Sequence, residues 1–158
     1  HKVRVINANG DLSRFESYGL PVIPDSLPDW PGPLAGILSC LDWLAQSHCE
    51  CDLLLSCATD APFISSDLAF RLLQARTAEK ATLAQARSSG RRHPVFGLWP
   101  VSIRQDLRTA LIEDGLRKID DFTDRFSLAI ADFAGHPDPF SNVNQPDDIA
   151  AAEAYFDS

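Results

Sequence analysis

Hydrophobic and polar positions follow two different periods along this chain. Alternation with a period of two in "KVRV", at 2–5, predicts a strand that ends at the polar turn "NANGD". The apolar run "CDLLLSCA", at 51–58, is continuous rather than alternating, which is typical of a strand covered on both faces. A helix from Pro33 to about residue 48 is predicted because apolar residues recur at helical spacing, at positions 34, 37, 38, 41 and 44.

The remaining segments continue this succession of strands and helices. Further strands are predicted in "LPVIPD", "ATLAQAR", "PVFGLWP" and "FSLAIADF". Further helices are predicted in "DLAFRLLQARTAE", capped by Ser65 or Ser66, and in "VSIRQDLRTALIEDG", "RKIDDFTDRF" and "QPDDIAAAEAYF", whereas "SSGRRHP" is predicted to be an exposed turn. This order indicates an α/β fold, a three-layer sandwich with a mostly parallel sheet, formed as a single domain over residues 1–158.

Composition and charge narrow the class of function. The chain has 158 residues, of which 45% are hydrophobic, and a formal net charge of -8. An acidic chain is poorly suited to wrapping a nucleic-acid backbone, and its apolar runs are too short to cross a bilayer. We therefore expect a cytoplasmic protein with no nucleic-acid partner and no membrane contact. The negative charge also predicts that a bound phosphate needs a divalent cation or local arginines.

The four cysteines are too few and too clustered for a secreted disulfide scaffold, so reduced thiols are expected. "HCEC" places His48, Cys49 and Cys51 close together, as in a zinc corner. The spacing is one residue shorter than usual and no second pair follows, so we favour the end of a helix followed by a strand.

Asp60 is the main candidate for chemistry. It follows the continuous apolar run and precedes Pro62, which interrupts a strand ladder, so it is predicted to lie at the carboxyl edge of the sheet, where ligands bind in such folds. A carboxylate at this position is a suitable ligand for magnesium, together with substrate phosphates. The alternative is a helix cap, but Asp60 lies several residues before the helix that begins near Ser65.

Six short strings occur in an order that resembles a known family. They are "NANGD", "PDS", "DWPGPLAGILS", "TDAPFI", "HPVFGLWP" and "FSNVNQPDD", and they cover nearly the whole chain. The set resembles the molybdenum cofactor guanylyltransferases, which transfer GMP from GTP to a molybdenum-bound pterin. The resemblance implies a Rossmann-like nucleotidyltransferase fold, magnesium as cofactor, GTP and the pterin as substrates, and molybdoenzyme-maturation proteins as partners.

The resemblance also implies roles for individual residues. Asn7 and Asp25 match positions that contact the nucleotide, and Gly32 and Gly36 match a loop packed beside it. Asp60 matches the catalytic acidic residue that holds magnesium against the GTP phosphates. Guanine selection rests on the resemblance, because the sequence does not say which of Asn7 and Asp25 contacts the base.

The substrate side is expected around two further strings. Arg92 and His93 belong to a basic cluster, with Arg87 and Arg91, that can receive the phosphate of the pterin; the alternative is a solvated hairpin tip. Asn144 of "NVN" matches a polar position that faces the same crevice. Trp43 and Trp99 are expected in the core, and Trp30 is the one tryptophan considered for stacking.

One part of the family pattern has no match in the sequence. These enzymes begin with a strand and a glycine-rich loop with an essential lysine, whereas the first match here falls at the family's second strand. We therefore expect that a βα unit of roughly 30 residues is missing at the N-terminus and that the chain alone catalyses poorly or is inactive. The alternatives are a related cytidylyl- or sugar-phosphate nucleotidyltransferase and a non-catalytic module that binds pterin or a protein partner. A dinucleotide-binding oxidoreductase is disfavoured, because no GxGxxG follows a strand.

Overall fold

The computed structural model describes residues 3–27, 32–47 and 50–156. Six strands lie in this part of the chain: β1 (Ile6–Asn7), β2 (Val22–Ile23), β3 (Leu53–Ser56), β4 (Leu83–Ser88), β5 (Arg91–Pro100) and β6 (Leu128–Phe133). Five α-helices accompany them: α1 (Pro33–Gln46), α2 (Leu68–Glu79), α3 (Arg104–Ile112), α4 (Ile119–Thr123) and α5 (Pro146–Phe156). Two short 3₁₀ helices span Leu12–Tyr18 and Val101–Ile103.

The main sheet has four strands in the order β3-β5-β4-β6. β4 and β6 pair in parallel, whereas β5 pairs antiparallel with both β3 and β4, so three of the four strands share one direction. β1 and β2 form a separate parallel pair. The α/β fold predicted from the sequence is confirmed, with β5 as the strand that runs against the others.

Two hydrophobic clusters cover the opposite faces of this sheet. One joins α1, α3 and α4 to the sheet and contains Leu38, Leu107, Phe122 and the fully buried Trp99. The other packs α2 on the sheet and includes Leu72, Ala86, Phe96 and Phe133. Successive residues of β4 belong to different clusters, Leu83 to the first and Ala84 to the second, as expected for a strand covered on both faces. Helices on both faces make the three layers.

The β4–β5 hairpin differs from the sequence-based prediction. "SSGRRHP" was predicted to be a turn, but only Ser89 and Gly90 form it, and both have positive φ (49° and 77°). Two residues with positive φ make the tight turn whose twist matches a hairpin, so Arg91 to Pro94 are already part of β5. The basic cluster therefore lies on a paired strand.

An irregularity in this hairpin shapes the surface beside it. Gln85 lies opposite Gly97 and Ala86 lies opposite His93, so residues 94–96 of β5 have no counterpart on β4. Pro94 lies in this bulge, where its missing N–H costs no ladder hydrogen bond. Bulges of this kind redirect side chains, and residues 93–96 line the largest of the cavities described below.

Several helix ends differ from those predicted. α2 begins after Asp67, so the predicted cap at Ser65 or Ser66 is wrong, although the Ser65 hydroxyl donates to the Asp67 carboxylate. The 3₁₀ helix Leu12–Tyr18 had no sequence prediction, because it buries no residue and therefore lacks an apolar stripe. Trp30, His48 and Cys49 lie outside the described residues.

Candidate functional site

Polar side chains from the ends of β1 and β2 form one hydrogen-bonded group. Asn7 donates from Nδ2 to the Ile23 carbonyl (3.0 Å) and to Asp25 Oδ1 (2.8 Å). Asn9 donates to Asp25 Oδ2 (2.8 Å), and its own Oδ1 accepts the Asp25 backbone N–H (2.8 Å). Because β1 and β2 are parallel, their carboxyl ends bring these side chains together. Asp25 thus holds both asparagines in fixed orientations.

Helix α1 begins beside this group. Gly32 is the residue before the helix, with φ of 118°, and Gly36 faces Asn7 so closely that a Cβ at residue 36 would lie 2.1 Å from Asn7 Oδ1. Only glycine allows this approach. Asn7 and Gly36 line a cavity of about 170 Å³ together with Ser56, the last residue of β3, and Cys57, which follows it.

Asp60 lies just beyond β3, as predicted. Its backbone carbonyl accepts the Val143 N–H at 2.7 Å, which fastens the loop after β6 to this position. Its half-buried carboxylate has no hydrogen bond or ion pair within the described residues, and it lines a cavity of about 320 Å³ with Pro62, Val143 and Ile149. A carboxylate without a protein partner is free to bind a cation.

The residues around Asp60 limit the kind of metal site that it can form. Within residues 3–27, 32–47 and 50–156, no group of three or more His, Cys, Asp or Glu side chains is arranged to hold a metal ion. A site with one carboxylate fits magnesium, which commonly takes its other ligands from water and substrate phosphates. It does not fit zinc, which needs three or four protein ligands.

The largest cavity, of about 620 Å³, lies beside the bulge of β5. Arg91, Arg92 and His93 contribute to its wall, and Asp138 and Asn142 contribute from the loop after β6. Arg92 is held by two ion pairs, with Asp120 and Asp124, each at 3.2 Å. The cavity therefore carries positive charge that is partly neutralised by α4 and the residue after it.

Ser88 connects His93 to Asp138 at the base of this cavity. Its hydroxyl lies 2.7 Å from His93 Nε2 and donates to Asp138 Oδ1 at 2.8 Å. Burial lowers the pKa of His93, assisted by Arg91 and opposed by Asp138. Burial would raise the pKa of Asp138, but hydrogen bonds from Phe140 N–H, Ser88 and Ser89 outweigh it and lower that pKa.

Asn144 lies apart from the other predicted site residues. Its side chain is exposed, its backbone N–H donates to Asp148 at the start of α5 (3.1 Å), and it lines none of these three cavities. Asn142, two residues earlier, lines the large cavity instead. The assignment of Asn144 stays a prediction.

One short segment joins the three cavities. Cys57 lines the cavity of Asn7, Ala58 lines the large cavity, and Asp60 lines the third. Val95 belongs to the walls of both the first and the large cavity. Of the predicted site residues, Asn7 and Gly36, Arg92 and His93, and Asp60 therefore line three cavities that all border residues 57–60.

Four polar residues of the site were not predicted, namely Asn9, Ser88, Asp138 and Asn142. Asn9 had a usable signal, because residues two apart on an extended segment share a face with Asn7. Ser88 and Asp138 had none, since 50 residues separate them and only the fold brings them into contact.

Comparison with known proteins identifies the family of the chain. Residues 2–126 match the model of the MobA-like NTP transferase domain. The chain belongs to this family. It is 50% identical to the molybdenum cofactor guanylyltransferase of Rhodopseudomonas palustris (strain BisB5) over 149 residues, which cover 94% of this chain and 71% of the relative. The corresponding protein of Nitrobacter hamburgensis is also 50% identical, over 94% of this chain and 72% of the relative. The family predicted from the six strings is confirmed, and with it a nucleotidyltransferase.

Solved structures share the fold of this MobA-like domain. Molybdopterin-guanine dinucleotide biosynthesis protein A from Archaeoglobus fulgidus has a TM-score of 0.73 at 21% identity, over 97% of this chain and 78% of that chain. A putative protein from Aquifex aeolicus has a TM-score of 0.71 at 15% identity, over 89% of this chain and 70% of that chain. In the described part of the chain, no helix has the length and apolar character needed to span a membrane.

Proposed function

We propose that this protein transfers GMP from GTP to the terminal phosphate of a molybdenum-bound pterin, with magnesium held by Asp60. The observation that carries the proposal is the unpaired carboxylate of Asp60 in the segment that borders all three cavities. The names of the relatives, which are 50% identical over most of the chain, support the choice of substrates.

The reaction needs little covalent chemistry from the protein. An oxygen of the pterin phosphate attacks the α-phosphorus of GTP, a new P–O bond forms, and the bond to the bridging oxygen of the β-phosphate breaks, so pyrophosphate leaves. Magnesium supplies charge stabilisation for the phosphates when it is bound. Asp60 would hold it, and the absence of a competing protein partner for this carboxylate among the described residues supports that role.

The nucleotide is assigned to the side of Asn7, Asn9 and Asp25. Asp25 accepts one amide donor on each oxygen and keeps further lone pairs, and Asn7 Oδ1 has no hydrogen-bond donor in the described part of the chain. Guanine offers the paired donors N1–H and the exocyclic amine, which such acceptors can bind, whereas adenine offers no such pair. The prearranged acceptors therefore favour guanine over adenine.

The pterin is assigned to the large cavity beside β5. A cavity of about 620 Å³ has the size of a small-molecule site, and its arginines suit a phosphate. Ala58, two residues before Asp60, belongs to its wall, so a phosphate bound there can approach a nucleotide held by the metal.

The test is pyrophosphate release by the full-length product of the encoding gene, with magnesium and molybdenum-loaded pterin. GTP should support release, ATP should not, and Asp60→Asn should abolish it. Equal rates with CTP would instead indicate the related cytidylyltransferase. A folded protein that binds pterin but releases no pyrophosphate from any nucleotide would contradict the proposal and favour a binding module.

A further inference from the structure

The order of the hydrogen bonds among Asp138, Ser88 and His93 determines which ring nitrogen of His93 carries the proton. An ionised carboxylate only accepts hydrogen bonds, so the Ser88 hydroxyl donates to Asp138 Oδ1 (2.8 Å). The hydroxyl oxygen then accepts from His93, and the nitrogen at 2.7 Å is Nε2. Nε2 therefore carries the hydrogen, and the Nδ1 lone pair of the neutral ring is left unprotonated.

The surroundings hold this chain of hydrogen bonds in place. Ser88 is only 2% exposed at the end of β4, so little of its surface is left for solvent. Asp138 also accepts the Phe140 backbone N–H (3.0 Å) and the Ser89 hydroxyl (3.3 Å), which favours its charged form. Phe140 also packs on the His93 ring, with centroids 4.7 Å apart, and restricts its rotation.

This arrangement is not a Ser-His-Asp catalytic triad. In a triad the histidine lies between the carboxylate and the hydroxyl and accepts the hydroxyl proton. Here Ser88 occupies the middle position and its proton points to Asp138, so the hydroxyl is not activated for attack. These hydrogen bonds can therefore affect a ligand only through the other ring nitrogen of His93, Nδ1.

The Nδ1 side of the ring is available to a ligand. His93 lines the large cavity, and its Nδ1 has no hydrogen-bond partner among residues 3–27, 32–47 and 50–156. The charged groups that act on the ring are Asp138 from the loop after β6 and Arg91 from β5, and burial favours the neutral form. A neutral ring offers a hydrogen-bond acceptor at Nδ1, which suits an N–H donor and repels a phosphate oxygen.

We propose that Asp138 and Ser88 are positioning residues that fix His93 as the Nε2–H tautomer, so that Nδ1 accepts a hydrogen bond from an N–H group of the pterin ring. This inference rests on the proposed function. It also gives the residues of the cavity two separate roles. His93 binds the pterin ring, and Arg91 and Arg92 bind the phosphate.

The test is nitrogen NMR of the protein labelled at its histidines, of which the sequence has only four. The His93 spectrum should show a protonated Nε2 and a bare Nδ1 at pH 7. Ser88→Ala should produce a mixture of tautomers, and Asp138→Asn should lower the pKa of His93, because a negative charge is removed. Asp132→Asn is the matched control, since Asp132 is an exposed residue of β6 that pairs with Arg87 and lines none of the three cavities. A protonated Nδ1 in the unaltered protein would overturn the inference.

Two probes then separate ring recognition from phosphate recognition. Adding 6-hydroxymethylpterin, which carries no phosphate, should shift the Nδ1 resonance, and Ser88→Ala should weaken its binding about tenfold, the size expected for one buried hydrogen bond. Inorganic phosphate has no N–H group to donate, so at a pH where the ring stays neutral it should not reproduce the shift of the Nδ1 resonance that the pterin causes. The same shift with phosphate, or pterin binding without a change at Nδ1, would overturn the inference and leave the proposed function intact. Failure of the pterin to bind any variant would count against both.

Discussion

Asn7 Oδ1 occupies the space in which a side chain at residue 36 would begin. A Cβ on Gly36 would lie 2.1 Å from this oxygen and 2.8 Å from Asn7 Cγ, well inside van der Waals contact. Asn7 cannot turn away without losing its hydrogen bonds to the Ile23 carbonyl and Asp25. The close packing of α1 against the carboxyl end of β1 therefore depends on glycine at residue 36 and on the fixed orientation of Asn7.

Gly36→Ala should therefore displace Asn7 and weaken both the fold and nucleotide binding. Overpacking of this kind lowers the free energy of unfolding by about 1–3 kcal/mol. The better helix propensity of alanine offsets up to about 1 kcal/mol of this loss. In an Asn7→Ala background the clash is gone, so the same substitution should become neutral or stabilising. Denaturant unfolding of the two single variants and the double variant measures this reversal. Additive effects would show that the contact is not the cause.

Asp60→Asn should remove magnesium-dependent transfer and leave the fold unchanged. The loss should be about 100- to 1,000-fold or more in kcat, the size seen when one electrostatic stabiliser is removed. The free energy of unfolding should change by less than about 0.5 kcal/mol, because the carboxylate has no partner within the described residues. Asp52→Asn, an exposed residue just before the opposite end of β3, is the matched control. Equal activity in the two variants would contradict the metal assignment.

The fold and the position of Asp60 could be predicted from the sequence because their causes are local. A continuous apolar run followed by Asp60 and Pro62 defines the end of a buried strand, and the spacing of leucines defines α1. The direction of β5 could not be predicted, since period and composition do not state which way a strand runs. Its hairpin depends on positive φ at Ser89, which is an uncommon conformation for serine.

The site was predicted in part for the same physical reason. Asn7 and Asp25 belong to short strings at strand ends, and the parallel pairing of β1 and β2 brings them into contact. Ser88 at the end of β4 and Asp138 in the loop after β6 are in contact although 50 residues separate them. No local sequence pattern predicts such a contact. Contacts between distant elements appear only when the register of the sheet is known.

Arg92→Ala should raise the KM for the pterin substrate with little effect on kcat. A charge-assisted hydrogen bond to phosphate contributes about 1.5–3 kcal/mol, which corresponds to roughly 10- to 150-fold in affinity. The loss of its partly exposed ion pairs with Asp120 and Asp124 should cost no more than about 1 kcal/mol of stability. Arg87→Ala is the control, because Arg87 lies opposite Arg92 in the hairpin but pairs with Asp132. Equal KM values for the two variants would contradict a role of Arg92 in phosphate binding and would favour the alternative interpretation, a solvated hairpin tip.

The stability of the protein should fall in two steps as the pH is lowered, and the two steps should belong to different residues. The pKa of His93 lies below its usual value of about 6.5, so the unfolded chain binds more protons than the native one just below that pH. Stability from the neutral ring is thus complete above pH 6.5 and declines below it. The pKa of Asp138 is also lowered, so its contribution is complete above about pH 4 and declines as acid protonates it.

Chemical unfolding from pH 7.5 to 3 should therefore respond differently to two substitutions. His93→Gln should flatten the decline just below pH 6.5, because it removes the group that binds the extra proton on unfolding. Asp138→Asn should make the decline below pH 4 shallower without abolishing it, because the pKa values of Asp11 and Asp132 are also lowered in the folded protein. His136→Gln is the control, since His136 is exposed and lines none of the three cavities. A decline near pH 6 that survives His93→Gln would show that another group is responsible, and that the cavity does not hold this histidine neutral.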